Sequence, residues 1–320
     1  MRISLVTPVP VRSRRGNGVT ARRWAGILRD LGHRVFLESE YDGRRVDMLV
    51  ALHAWRSAPS ILRFRARHPE SPIIVGMAGT DLYEHIRDRE EARRSIEIAT
   101  RIVVLQAMGV EVLPRRLQPK ARVIYQSVPR PGFSVRPLKR VFEVCVLSHL
   151  RPVKDPLRAA HASRLLPAES RIRVRHAGGA LDDPLAAAAR KESDSNPRYQ
   201  WLGELPRWRS LRLLARSRLL VLSSTMEGGA NIVGEALALD TPLLSSEIDG
   251  SVGILGRDYP GYFPVGDEQA LAALLCRAER EAGFYAALEK ACRARSELID
   301  PRRERRSWEE LLLELSGVQA

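Results

Sequence analysis

The stretch Ser217-Arg-Leu-Leu-Val-Leu-Ser-Ser224, followed after Thr225 and Met226 by Glu227-Gly-Gly-Ala-Asn-Ile-Val-Gly234 and then Glu235, decides how this chain folds. Its first part is a short apolar run closed by serines, the pattern of a strand buried on both faces in a parallel sheet. Its last part, from Asn231, reads as a helix. Between them lies a loop with a glycine pair. A strand, a glycine-bearing loop and a helix N-terminus make an anion site, because unpaired backbone N–H groups and the helix dipole both favour a phosphate. Glu227 stands on the loop and Glu235 further along the helix. Acceptors therefore flank the phosphate on both sides, where a sugar and a ribose would lie. The same residues also suit an ordinary crossover with two solvated glutamates, and the remaining segments weigh against that reading.

Outward from this motif, short apolar segments alternate with helical ones. The expected strands of the first half are Ile3–Thr7, Arg34–Glu38, Asp47–Leu52, Ile73–Gly76, Arg101–Leu105 and Arg122–Tyr125. Those of the second half are Phe142–Leu147, Ile172–His176, Tyr199–Leu202, Leu219–Ser223, Pro242–Ser245 and Gly261–Pro264. Such alternation implies parallel sheets, and two sets imply two doubly wound α/β domains. Pro129-Arg-Pro-Gly-Phe-Ser-Val-Arg-Pro137 cannot continue either sheet and reads as the linker. The expected domains are residues 1–135 and 136–300, with 301–320 a final helix packing back on the body. Ligands of such domains bind outside the carboxyl ends of the strands, so the site is expected in a cleft between two facing domains. Arg302–Leu315 is amphipathic, with Trp308, Leu311, Leu312 and Leu315 at helical spacing. A membrane-surface role is less favoured, because Glu304, Glu309, Glu310 and Glu314 dilute its arginines.

At 320 residues and 44% apolar composition the chain can build two cores. No run approaches the roughly 18 apolar residues that span a bilayer. The first residues read as a strand rather than a signal peptide, which points to the cytoplasm. Cys145, Cys276 and Cys292 form no metal or redox spacing and read as reduced thiols. The net charge of +14 lies in the first half: residues 1–140 hold 27 Lys and Arg against 13 Asp and Glu, and residues 141–320 hold 25 of each. A basic half implies an anionic partner. Only 5 of the 52 basic residues are lysine, an arginine bias that codon composition also produces and that weakens this inference.

Several loops after strands carry polar residues suited to chemistry. The first is Val11-Arg-Ser-Arg14-Arg15-Gly16-Asn17-Gly18-Val-Thr20, with Arg22 in the helix that follows. Gly16 and Gly18 permit close backbone approach to a ligand. They are not completed to G-x-G-x-x-G, so a dinucleotide fingerprint is not expected. The third strand runs into His53, a base, an anion ligand or a structural histidine. The fourth runs into Gly79-Thr80-Asp81, where Asp81 reads as a helix cap first and a base second. In the second half stand His149, Arg151 and Lys154, then His176-Ala-Gly178-Gly179, then Trp201-Leu-Gly203. No metal-binding acidic pair falls in a suitable place, so neither a metal nor another cofactor is expected.

Taken in order, these segments resemble the family 4 glycosyltransferases of the GT-B fold. Glu227 to Glu235 is similar to that family's E-x7-E motif. Leu147-Ser-His149-Leu-Arg151-Pro-Val-Lys154 resembles its G-R-L-x-x-x-K-G, with His149 in place of the usual arginine and Arg151 nearby as a substitute guanidinium. The resemblance implies that His149, Arg151, Lys154, Gly178, Gly203, Glu227, Gly228, Gly229, Ala230, Asn231 and Glu235 bind a UDP-sugar donor. It implies that Arg14, Arg15, Gly16, Asn17, Gly18, Thr20, Arg22, His53 and Thr80 face the acceptor, with His53, Asp81 and Glu227 as catalytic candidates. Gly229 and Ala230 replace the family's usual Phe-Gly, which implies a different or roomier pocket.

More narrowly, this chain's Gly-Asn-Gly-Val-Thr-Ala, Ala-Leu-His-Ala, Gly-Thr-Asp-Leu-Tyr, Gln-Ser-Val, His-Leu-Arg-Pro-Val-Lys-Asp-Pro and Glu-Gly-Gly-Ala-Asn together resemble segments of the selenosugar synthases of selenoneine biosynthesis. That resemblance implies transfer from a UDP-sugar, UDP-N-acetylglucosamine in the first place, to selenophosphate, and a functional link to other enzymes of that pathway. An already anionic nucleophile needs little help from a base. The alternative within enzymes is a hexosyltransferase acting on a hydroxyl of a lipid or polysaccharide at an anionic membrane. A nucleic-acid-binding protein is the alternative of another class, disfavoured because no RNP motif, zinc spacing or arginine-rich tail is present. Charge stabilisation by Lys and Arg alone predicts that EDTA leaves sugar transfer intact; loss of activity restored by a divalent cation would contradict it.

Overall fold

The computed structural model describes residues 1–12, 16–138 and 140–317. Among them lie twelve strands: β1 (Arg2–Val6), β2 (Arg34–Glu38), β3 (Met48–Leu52), β4 (Ile73–Gly76), β5 (Arg101–Val104), β6 (Ala121–Val123), β7 (Phe142–Leu147), β8 (Ile172–Ala177), β9 (Tyr199–Trp201), β10 (Leu219–Leu222), β11 (Leu243–Ser246) and β12 (Tyr262–Phe263). Each expected strand has its counterpart here, with small differences at the ends. The pairings are parallel and make two six-stranded sheets. Two Rossmann-like α/β sheets are therefore present, as the alternation of apolar segments implies.

The chain divides into two compact units. The first comprises Met1–Ser127, Glu227–Gly229 and Asp300–Ala320; the second comprises Val128–Met226 and Ala230–Ile299.

In the first unit the strand order is β2-β1-β3-β4-β5-β6. The strand order reverses between β1 and β3, and in such sheets ligands bind outside the carboxyl ends at that point. All five residues of β3, Met-Leu-Val-Ala-Leu, are buried, as a strand covered on both faces requires. The helix Gly16–Asp30 covers one face. Its Trp24 lies so close over β4 that a Cβ on Gly76 would stand 2.7 Å from the ring.

The helix Pro301–Ser316 starts at Asp300, whose side chain accepts from the Arg302 N–H. Its apolar stripe, Trp308, Leu311 and Leu312, is buried in the same cluster as Trp24. The two indole rings meet edge-on, 4.8 Å between centroids. Beside them Glu304 is buried, and its carboxylate accepts from Arg23 Nε, Trp24 Nε1, and the Ser127 N–H and hydroxyl. A buried carboxylate is tolerated only when its lone pairs are used in this way.

In the second unit the order is β12-β11-β10-β7-β8-β9. Counted from β7 this is the 3-2-1-4-5-6 arrangement of dinucleotide-binding domains, with its reversal between β7 and β10. Cys145 and Cys292 are buried and Cys276 is half-buried, all as free thiols. No helix among the described residues is long and apolar enough to cross a membrane.

Trp308→Ala removes a fully buried indole and its ring partner, and is expected to destabilise the first unit by about 3–5 kcal/mol. A denaturant titration checks this; an unchanged midpoint would mean the final helix is not part of that core.

Candidate functional site

The reversal point of the second sheet is lined by the residues that leave β7 and β10. After β7 the chain turns through Ser148, His149 and Leu150 to Arg151, then makes one short helical turn, Pro152–Lys154. After β10 it passes through Ser223, Ser224 and Thr225. These two excursions are tied by backbone: the Thr225 N–H donates to Val153 O at 2.9 Å, and the Ser223 hydroxyl donates to Asp155 O at 2.8 Å. Asp155 sits at φ 41°, a left-handed corner that ends the Lys154 turn. Arg151 is exposed and Lys154 half-buried.

The neighbouring turn after β8 is pressed against the first. A Cβ on Gly178 would lie 1.7 Å from Ser148 O, so only glycine fits. The Gly178 N–H donates to Gly203 O, and Gly203 itself has φ 68°. Trp201 Nε1 donates to Gly178 O at 2.9 Å. Thus Gly178 and Gly203, expected to line the donor site, are joined by a hydrogen bond. His149 Nδ1 accepts from the Gly179 N–H at 3.0 Å. A ring accepting there carries its proton on Nε2 and is neutral. His149 therefore does not replace the usual arginine as a cation; the positive charge at this point comes from Arg151 and Lys154.

Asn231 opens the helix Asn231–Ala238, and the residue before it, Ala230, has no side chain that could cap its first N–H groups. Glu235 lies on this helix, largely buried, and its carboxylate accepts from Arg207 at 2.5 Å. Arg207 was not among the residues expected at the site. It stands 28 positions from Glu235, outside any helical or strand spacing, so no local pattern marks the pair.

Glu227, Gly228 and Gly229 belong with the first unit. A Cβ on Gly228 would come within 2.3 Å of Ala78 O, and one on Gly229 within 2.6 Å of Leu105 Cβ. The space a side chain at 229 would enter is filled by Leu105, so this position differs from the family's usual Phe in its packing.

At the carboxyl ends of β3 and β4 lie His53, Thr80 and Asp81. His53 is buried at φ 75°, a conformation that non-glycine residues adopt at a cost. Its Nδ1 accepts from the Arg56 N–H at 3.3 Å, and its Nε2 faces the Thr80 hydroxyl at 3.5 Å. Burial pushes its pKa down, the nearby Asp81 opposing. Asp81 is not the helix cap it was read as. One oxygen accepts from Ala54 N–H at 3.0 Å and the other from Ala78 N–H at 2.8 Å, so the carboxylate ties the two loops together. A wider π-type turn, Asp81–His85, follows. It brings the His85 ring to 5.4 Å from His53 and 4.5 Å from Trp55, a cluster not marked by any sequence motif.

The first helix starts earlier than expected: Gly16, Asn17 and Gly18 are its first residues rather than a loop before it, and Thr20 and Arg22 lie beyond its first turn. The first N–H groups of a helix have no carbonyl partner within it; here Gly16 is exposed, Asn17 half-buried and Gly18 buried. The Thr20 hydroxyl accepts from Gln126, and Arg22 donates to Val11 O. Arg14 and Arg15 lie outside the described residues. Among those residues no group of acidic, His or Cys side chains could hold a metal ion.

Comparisons with known proteins bear on this arrangement. Residues 134–295 match the family model described as glycosyl transferases group 1. Sucrose-phosphate synthase from Thermosynechococcus elongatus superposes with a TM-score of 0.78 at 14% identity, over 99% of this chain and 100% of that one. HepE of Anabaena, in complex with UDP and glucose, gives 0.77 at 14%, over 98% and 100%. The trehalose-6-phosphate synthase OtsA gives 0.75 at 12%, over 100% of both chains. These likenesses show that the fold is GT-B. A comparison with curated protein sequences finds no match.

His176, next to this turn, accepts no charge easily. It is buried, bonded to Tyr199 and to Ser148 O, and burial pushes its pKa from 6.5 to about 4. Below pH 6.5 the unfolded chain takes up a proton that the native ring refuses until about 4. The stability it contributes is therefore whole above that window and falls by about 3 kcal/mol as pH drops through it. Denaturant titrations at about pH 7 and pH 4.5 should show a smaller acid loss in His176→Gln than in the native protein; an equal loss would contradict this.

Proposed function

The chain belongs to the glycosyl transferases group 1 family, and on that premise we propose that it transfers N-acetylglucosamine from its UDP derivative to selenophosphate. The diphosphate rests on the first N–H groups of the helix Asn231–Ala238, with Lys154 and Arg151 neutralising the charge that builds on the leaving group. Glu235 takes the ribose hydroxyls and Glu227 the sugar hydroxyls. The selenium of selenophosphate attacks the anomeric carbon. The C–O bond to the diphosphate breaks with its electron pair, and UDP departs. Water then cleaves the P–Se bond, leaving a selenosugar and phosphate.

The observation that carries the acceptor assignment is the condition of the two candidate bases. Both oxygens of Asp81 are engaged by backbone N–H groups. His53 uses Nδ1 as acceptor, so its Nε2 presents a proton towards Thr80 and acts as a donor. A donor at His53 beside an Asp81 already engaged by two backbone N–H groups suits a nucleophile that arrives already ionised. The basic balance of the first 140 residues and the resemblance to selenosugar synthases support the same reading.

Incubation with UDP-N-acetylglucosamine and selenophosphate should yield UDP and a sugar carrying the selenium isotope pattern by mass spectrometry. Lys154→Ala should lower turnover by roughly 100-fold with a smaller effect on donor affinity. Transfer to a hydroxyl acceptor with selenophosphate left unused would overturn the proposal.

A further inference from the structure

We propose that Arg207 is a positioning residue of the donor site: it holds the carboxylate of Glu235 in the orientation that receives the ribose. The inference rests on the assignment of Glu235 to the ribose hydroxyls. Its observations are the ion pair itself and the place of Arg207 in the chain.

Arg207 Nη1 stands 2.5 Å from Glu235 Oε1. The two partners differ in setting: the arginine side chain is 61% exposed and the glutamate 12%. A carboxylate that is mostly withdrawn from water loses solvation, and a cation at hydrogen-bond distance restores much of it. The pair therefore holds the carboxylate of Glu235 in one orientation. An ionised carboxylate is acceptor-only and has about four lone-pair sites. One is used by Arg207, and a ribose hydroxyl can donate to the same carboxylate without displacing the guanidinium.

The backbone around Arg207 gives it a fixed base. It is the first residue of the helix Arg207–Arg216, entered through Pro206. Four residues before it, Gly203 makes the left-handed turn whose carbonyl accepts from Gly178. The guanidinium thus spans from the segment after β9 to the helix after β10, and links the part of the donor site built on Gly178 and Gly203 to the part built on Glu235. A lysine at this position would keep the charge but lose the planar fork that holds a carboxylate in one orientation.

The test separates this role from a general structural one by using the ribose as the probe. UDP and its 2′,3′-dideoxy counterpart are titrated calorimetrically into the native protein, Arg207→Ala, Arg207→Lys and Glu235→Ala, with circular dichroism to confirm folding. The native protein should prefer UDP over the dideoxy compound, and Glu235→Ala should abolish that preference. Arg207→Ala should weaken UDP binding by roughly three- to tenfold, as a partly exposed ion pair allows, while the dideoxy compound changes by less than about twofold. Arg207→Lys should fall between. If Glu235→Ala keeps the preference, the ribose assignment itself fails. If Glu235→Ala loses it but Arg207→Ala binds UDP as well as the native protein or more tightly, the positioning role is overturned.

Discussion

One close approach of backbone organises the second unit of this protein. The turn after β7 and the turn after β8 are packed so tightly that a single methyl at residue 178 would overlap the Ser148 carbonyl. Around that contact the polar groups are used in pairs: His176 donates to Ser148 O, Leu150 N–H to Gly179 O, and Gly179 N–H to His149. Trp201 and Gly203 extend the network to β9. Three neighbouring strand ends are thereby held in a fixed relation. A diphosphate binds best to groups that need no rearrangement to meet it, since the ordering has been done in folding.

The same logic explains why much of the site could be read in the sequence. Parallel strands buried on both faces leave continuous apolar runs, and Met48–Leu52 and Leu219–Leu222 are such runs. Once two sets of them are recognised, topology alone sends the loops after β7 and β10 to a reversal point. His149, Lys154 and Glu235 follow because they stand on or next to those loops. The glycines at 178 and 203 are legible for a different reason, since each meets a steric or conformational demand that no other residue satisfies as well.

What stayed hidden depends on contacts between distant positions. Nothing near Asp81 announces that its oxygens reach back to Ala54 and Ala78 rather than forward to the helix it precedes. Gly229 looks like a lost aromatic until Leu105, more than a hundred residues earlier, is seen occupying its side-chain space. Arg207 and Glu235 lie on separate helices, and His85 reaches His53 only because the turn after Asp81 is wound more widely than an α-helix. In each case the residue type was visible and its partner was not. The start of the first helix at Gly16 was obscured by its two glycines, which read as loop although helix first turns tolerate them.

On the reading proposed above, the second unit binds a nucleotide diphosphate at the reversal point of its sheet, through main-chain N–H groups and Lys154. Backbone hydrogen exchange with and without UDP tests it most directly. Exchange should slow in 148–154, 176–179 and 230–235, with little change along β11 and β12. Protection confined to other segments, or none at saturating UDP, would contradict it.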